Sequence, residues 1–307
     1  MKSNIPVIFF VYQRPEYTEQ FLNIFLSSGI KKIYVFSDGS KFIAESSRVE
    51  KVRELINNFG DQHKDIQIIK KYSKKNLGLK KSIVDGLNSV FKIESSAIII
   101  EDDCLPSNDF IKFASELLNR YKGNPNIMSI TGTSVGVVST YSYDFTSYQH
   151  CWGWATWARA WELYDPELKL FSSKNWRHFS KSKWTNPIMR LYWQIMLTLT
   201  KVGWLNTWDF QWSYAHFVNN GLAIYPMSNL ITNVGFDSVA TNTKTYSKVS
   251  GNITGDLSWP LNHPKIVREN NLLTKVMERK FYLNPIAFLG MIRQLAFYTW
   301  SKYAHRN

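Results

Sequence analysis

Over its first third the chain alternates between two hydrophobic periods. Local patterns predict strands over residues 6–12, 32–37, 66–72, 97–100 and 127–131, the first buried and the fourth fully apolar and central. Between them, apolar residues at helical spacing predict helices over 16–28, 45–59 and 80–91, the first two ended by Gly29 and Gly60. A further helix over 110–121 is expected to be capped by Asn108 or Asp109. Strand and helix in strict alternation imply an α/β fold with a mostly parallel central sheet and helices on both faces. From Ser134 onward that alternation stops. Eleven of the twelve tryptophans lie between Trp152 and Trp259, so the second half is built differently. It holds one clear helical face, Phe210, Tyr214, Phe217 and Val218, ended at Asn220-Gly221.

Composition narrows the function. The 307 residues, 44% hydrophobic, suffice for a large core. The 37 Lys+Arg against 24 Asp+Glu leave +13, which asks for an anionic partner such as a nucleotide, a nucleic acid or a membrane. Residues from Lys265 to the end carry eight bases and two acids, a large share of that excess. Two cysteines, Cys104 and Cys151, are too few for a disulfide framework and lie in no zinc-like cluster, so a reducing, cytoplasmic setting is expected. The apolar run at 5–12 contains Pro6 and lacks a cleavage site, reading as a strand rather than a signal peptide. The Asn252-Ile253-Thr254 sequon carries no weight in that setting.

The sharpest feature is Glu101-Asp102-Asp103, directly after an apolar central strand. Adjacent carboxylates repel and are costly to bury, so solvent, donors or a cation must neutralise them. Mg2+ takes one or two protein carboxylates and completes its shell with water and phosphate oxygens, which suits a nucleotide diphosphate. At the carboxyl edge of an open α/β sheet, such a site faces the crevice where ligands bind. A solvated acidic loop is the plainer alternative.

With the segments Val11-Tyr12-Gln13-Arg14-Pro15-Glu16, Ser37-Asp38-Gly39, Asn76-Leu77-Gly78, Ile100-Glu101-Asp102-Asp103-Cys104-Leu105-Pro106, Cys151-Trp152-Gly153-Trp154-Ala155-Thr156-Trp157, Trp208-Asp209 and Asn229 to Phe236 in this order, the chain resembles a known group. It is similar to nucleotide-sugar glycosyltransferases of GT-A fold, in particular bacterial family-2-like enzymes related to N-acetylglucosaminyltransferase I. The resemblance covers about residues 4 to 245. It implies a GT-A (Rossmann-like) domain over 1–264, with a nucleotide-sugar-binding half over 1–133 and an acceptor-binding half over 134–264. Residues 265–307 form a basic amphipathic helical region outside it.

By the same resemblance Asp103 ligates a divalent cation, Mn2+ or Mg2+, while Glu101 and Asp102 contact the donor sugar and ribose. Arg14 and Asp38 match nucleobase-pocket positions, and Asp209 matches the general base. Read from the residues alone, Arg14-Pro15 is equally a turn into a helix, Asp38-Gly39 a β-turn, and Asp209 a first-turn cap. Lys80, in a loop of four lysines around Gly78, is a donor-site candidate. Trp152 and Trp154 divide evenly between a sugar-binding wall and a core cluster; Trp157 and Trp161, four apart on an expected helix, read as core. One departure stands out. Where the bacterial relatives carry Thr-His-Thr, this chain has Thr241-Asn242-Thr243.

The expected activity is inverting transfer from a nucleotide-diphosphate sugar, a UDP-sugar by default, to a glycan or lipid-linked glycan acceptor. Two rivals stand beside it. A sugar nucleotidyltransferase would share the sheet and acidic site but opens with a Gly-rich loop, and residues 5–15 contain no glycine. A basic nucleic-acid-binding protein would use the +13, yet no recognisable RNA- or DNA-binding motif is present, so no nucleic acid is expected as partner. The tail helix starting at Asn284-Pro285 mixes Phe288, Met291, Ile292 and Leu295 with Arg293 and Lys302, so it either packs on the domain or docks peripherally on an anionic membrane.

Overall fold

In the computed structural model, which describes residues 5–235 and 255–304, eight strands form one sheet in the order β3-β2-β1-β4-β8-β6-β9-β7. Chain order builds it as follows. Strand β1 (Val7–Val11), helix α1 (Pro15–Ser27), β2 (Lys32–Ser37), α2 (Ile43–Gln62), β3 (Gln67–Tyr72), α3 (Leu79–Val90) and β4 (Ser96–Glu101) make a parallel βα array. A short β5 (Cys104–Pro106), α4 (Asn108–Arg120) and β6 (Ile127–Thr131) follow. Then come β7 (Tyr143–Thr146), β8 (Trp154–Trp157), the single turn α5 (Ala158–Trp161), α6 (Ser173–Lys183), α7 (Pro187–Lys201), α8 (Asp209–Val218), β9 (Leu222–Pro226) and β10 (Ile231–Asn233). The chain closes with α9 (Asn271–Met277), a π-helical turn (Glu278–Tyr282) and α10 (Pro285–Ala304).

Alternation within β1 explains the layering. Val7, Phe9 and Val11 point into a core shared with α1, α2 and α4, whereas Ile8 and Phe10 join α3 and α8 on the opposite face. Both faces are therefore covered, and every residue of β1 is buried. Beyond β4 the sheet turns mixed: β8 runs antiparallel between β4 and β6, and β7 antiparallel to β9, while β6 and β9 are parallel.

A separate core holds Tyr148, Trp176, Trp184, Trp193, Phe217 and Tyr225 together with Leu273, Met277, Phe281 and Met291. The first part of the tail thus packs into the body of the fold. Local expectations need three corrections. Helix α2 continues through Gly60 to Gln62, because Val52, Ile56 and Phe59 anchor its last turns in the core. Ser107, not Asn108 or Asp109, caps α4 by accepting from the Phe110 N–H, and the Asp109 carboxylate instead accepts from Leu257 N–H at 2.8 Å and Trp259 Nε1 at 3.1 Å. Trp157 ends β8 rather than lying on a helix. The Thr241-Asn242-Thr243 departure, Phe236 and the sequon lie outside the described residues.

Candidate active site

The acidic triplet sits where β4 ends and β5 begins, at the carboxyl edge of the parallel strands. Its neighbours come from three other segments. Just after β1, the Tyr12 N–H donates to Asp102 Oδ2 at 2.7 Å, and Arg14 Nε stands 3.9 Å from Asp102 Oδ1. Strand β10 pairs antiparallel with β5, so the Val234 N–H donates to the Asp103 carbonyl at 2.7 Å. Arg14 Nη1 in turn donates to the Val234 carbonyl at 3.5 Å. Gly235 lies so close to the triplet that a β-carbon there would stand 2.6 Å from Asp103 Oδ2.

Asp209 arrives from the other half of the chain as the first residue of α8. Its charge reaches Glu101, whose carboxyl is pushed well above its usual range by burial first, then by Asp103, Asp102 and Asp209. Burial, with repulsion from Asp103, lifts Asp102 to about 7. Asp209 is raised by burial as well, opposed by the Thr207 hydroxyl and by the N–H groups of Asp209 and Phe210. Those contacts give it part of the cap role, although the residue flanking the helix is Trp208, which offers no side-chain cap. Burial therefore raises three carboxyls drawn from both halves of the sequence, Glu101, Asp102 and Asp209, and the charge of Asp209 adds to the shift of Glu101.

That electrostatic tension is what a divalent cation relieves. Carboxylate oxygens suit a hard ion such as Mn2+ or Mg2+, which needs only one or two of them when a diphosphate completes its shell. Among the described residues no group of three ligating side chains is assembled in advance. Asp103 and Asp102 are the side chains of the triplet that could hold such a cation together with a phosphate.

A buried glutamine ties the site together. Gln149 Nε2 donates to the Asp209 carbonyl at 3.2 Å and to Ser213 Oγ at 2.9 Å, while its Oε1 accepts from Cys151 Sγ at 2.9 Å. Both thiols are pushed up, Cys104 by burial and by Asp103, Cys151 by burial and by Asp209. Neither is poised as a nucleophile.

The remaining candidates occupy distinct places. The Asp38 carboxylate accepts from the N–H groups of Gly39, Leu77 and Gly78 at 2.8 to 3.0 Å, so it pins the lysine-rich loop to the end of β2. Lys80 lines a cavity of about 230 Å³ with Leu77, Gly78, Pro166 and Asn206, between that loop and the approach to α8. Trp152 is half-buried and sits edge-on to His150 at 4.5 Å. Trp154 requires correction as a sugar wall: it is 1% exposed and stacks on Trp208 at 5.6 Å, leaving no open face. Tyr12, Gln149, Thr207 and Gly235 were not legible as site residues. Tyr12 and Gly235 lie inside the motifs at 11–16 and 229–236, and Gln149 and Thr207 beside those at 151–157 and 208–209; that position was the one signal pointing to them.

No protein-family sequence profile matches the chain, and no curated protein sequence does. Among solved structures it is similar to a mannosyltransferase from Pyrobaculum calidifontis in complex with GDP-Man and Mn2+, at 14% identity and TM-score 0.39 over 53% of this chain and 46% of that one. It is also similar to a putative glucose-1-phosphate thymidylyltransferase from Bacillus anthracis in complex with a sucrose, at 11% identity and TM-score 0.39 over 75% and 89%. A UDP-glucose pyrophosphorylase complexed with UDP-glucose follows at 11% identity and TM-score 0.27 over 47% and 63%. The chain spans less than half of the mannosyltransferase, and likenesses this distant carry no argument about its substrate.

Proposed function

We propose that this protein is a GT-A-type inverting glycosyltransferase that moves a sugar from a nucleotide-diphosphate donor, by default a UDP-sugar, to a hydroxyl of a glycan or lipid-linked glycan. The observation that supports the reading is the acidic triplet at the carboxyl edge of the parallel strands, with Asp102 accepting from Tyr12 N–H and facing Arg14, and with the buried Asp209 adding its charge to that on Glu101. Donor binding belongs to the first half, where Arg14 and Asp102 adjoin the ends of β1 and β4. A carboxylate raised by burial, as Asp209 is, suits proton abstraction near neutral pH. Asp209 takes the proton of the acceptor hydroxyl; the oxygen attacks the anomeric carbon, and the bond from that carbon to the diphosphate breaks on the opposite face. A divalent cation held by Asp103 would supply positive charge where the leaving diphosphate becomes more negative. Glu101 and Asp102 hold donor hydroxyls, and Trp152 flanks the acceptor side.

A panel of nucleotide sugars, read by thermal shift and by slow donor hydrolysis, tests this. One or a few donors are expected to stabilise the protein and to be hydrolysed with Mn2+ or Mg2+. If no nucleotide sugar binds, or if a sugar phosphate and a nucleoside triphosphate are joined instead, the reading fails.

A further inference from the structure

The basic excess is not spread over the surface. Between Leu168 and Trp208 the chain has seven bases and no acid, and from Arg279 to Asn307 five bases and no acid, so the rest of the molecule is nearly neutral. These two stretches meet in space, since α6 and α10 both pack on α7.

Elsewhere many surface bases are matched by acids, as in Lys31–Asp65, Lys32–Glu94, Arg48–Glu16, Arg53–Glu50 and Lys81–Asp85. On α6, Lys174, Arg177 and Lys181 follow helical spacing along one exposed face, and none forms an ion pair among the described residues. The neighbouring helices expose apolar side chains. Helix α7 presents Ile188 and Leu191 at 48% and 50% exposure, and α10 presents Leu289, Ile292 and Phe297 while burying Met291 and setting Tyr298 against Trp204. Arg293 stands over the Phe297 ring at 5.6 Å.

Cations with no ion pair among the described residues, on a helix next to ones that expose aliphatic side chains, select their partner. A polyanion such as RNA offers charge but nowhere to bury leucine and isoleucine, whereas an anionic bilayer offers both headgroup phosphates and an acyl boundary. No described helix is long and apolar enough to cross a membrane, so the contact is with a surface. We infer that the α6-α7-α10 layer docks on an anionic lipid bilayer, with the α6 cations at the phosphates and the apolar side chains of α7 and α10 seated at the headgroup boundary. This holds independently of the proposed sugar transfer.

Sedimentation of the full chain with phosphatidylcholine vesicles, with and without phosphatidylglycerol, tests it. The protein is expected to pellet with the anionic vesicles at low salt, to be released by high salt, and to stay in solution with phosphatidylcholine alone. Two variants at exposed positions separate the contributions: K174E/R177E/K181E, and L191S/I292S. Each is expected to lower the bound fraction about tenfold, the first by removing attraction to anionic headgroups and the second by removing apolar side chains from the boundary, with an unchanged melting temperature. Absence of vesicle binding by the parent overturns the inference. So does binding by both variants equal to the parent's, or salt-sensitive capture of single-stranded RNA in place of vesicles. Should one variant fail to fold, the other and the parent's salt titration still decide.

Discussion

Gly235 stands against Asp103 so tightly that no side chain fits between them: the nearest carboxylate oxygen lies 2.6 Å from where a β-carbon would be. The contact exists because β10 pairs with β5 and carries the chain past the triplet. Gly235→Ala is therefore expected to push the Asp103 carboxylate aside while sparing the core. The Mn2+ concentration for half-maximal donor hydrolysis should rise about 10- to 100-fold, the usual effect of disturbing a group that orients a metal ligand. An unchanged metal requirement would argue that Asp103 holds no cation.

Asp103→Asn removes a charge with little change of shape. Metal-stimulated donor hydrolysis should vanish while the fold and its melting temperature persist. Full activity of the parent in excess chelator would dispose of the metal role.

Asp209→Asn acts on the acceptor alone. Transfer should fall by about 10² to 10⁴, the typical worth of a general base, with donor binding intact in a thermal-shift titration. The contrary outcome, lower stability with the same activity per folded molecule, would reduce Asp209 to a helix-start residue.

The tryptophans of one motif should behave oppositely. Trp154→Ala empties a buried site among Trp161, Trp208 and Trp212 and is expected to cost about 3–5 kcal/mol in denaturant unfolding. Trp152→Ala, at a half-buried position, should leave most of that stability and raise KM for the acceptor. Equal stability losses would place both rings in the core.

His216 gives the fold an acid limit. It is buried, with Nε2 3.2 Å from Ser129 Oγ, and burial lowers its pKa to about 3 from the usual 6.5. A depressed folded value means that the stability is fully present above pH 6.5 and is lost as pH falls toward 3, because unfolding then takes up a proton. The slope from this one group is at most about 1.4 kcal/mol per pH unit. Urea unfolding of His216→Gln between pH 7 and pH 4 should show a shallower decline than the parent (about one proton less). The same slope in both would clear His216.

Sequence alone determined the first half of the fold. Strands β1, β2 and β4 are short apolar runs, and β1, β2 and β3 are each followed by a periodic helix, local patterns that specify their own structure. It also exposed the triplet, because three adjacent acids after a buried strand are costly without a purpose. The rest depended on contacts between distant segments. That β8 inserts antiparallel between β4 and β6, that Trp154 faces inward while Trp152 lies at the margin, and that Asp38 binds a loop rather than open solvent are set by pairing partners tens of residues away. Burial of a tryptophan is a property of what lands on it, which composition and spacing do not encode. The approach of Asp209 to Glu101 is of the same kind. Two carboxylates in opposite halves of a chain carry no mark of each other until the fold brings the start of α8 near enough to the end of β4 for the charge of Asp209 to act on Glu101.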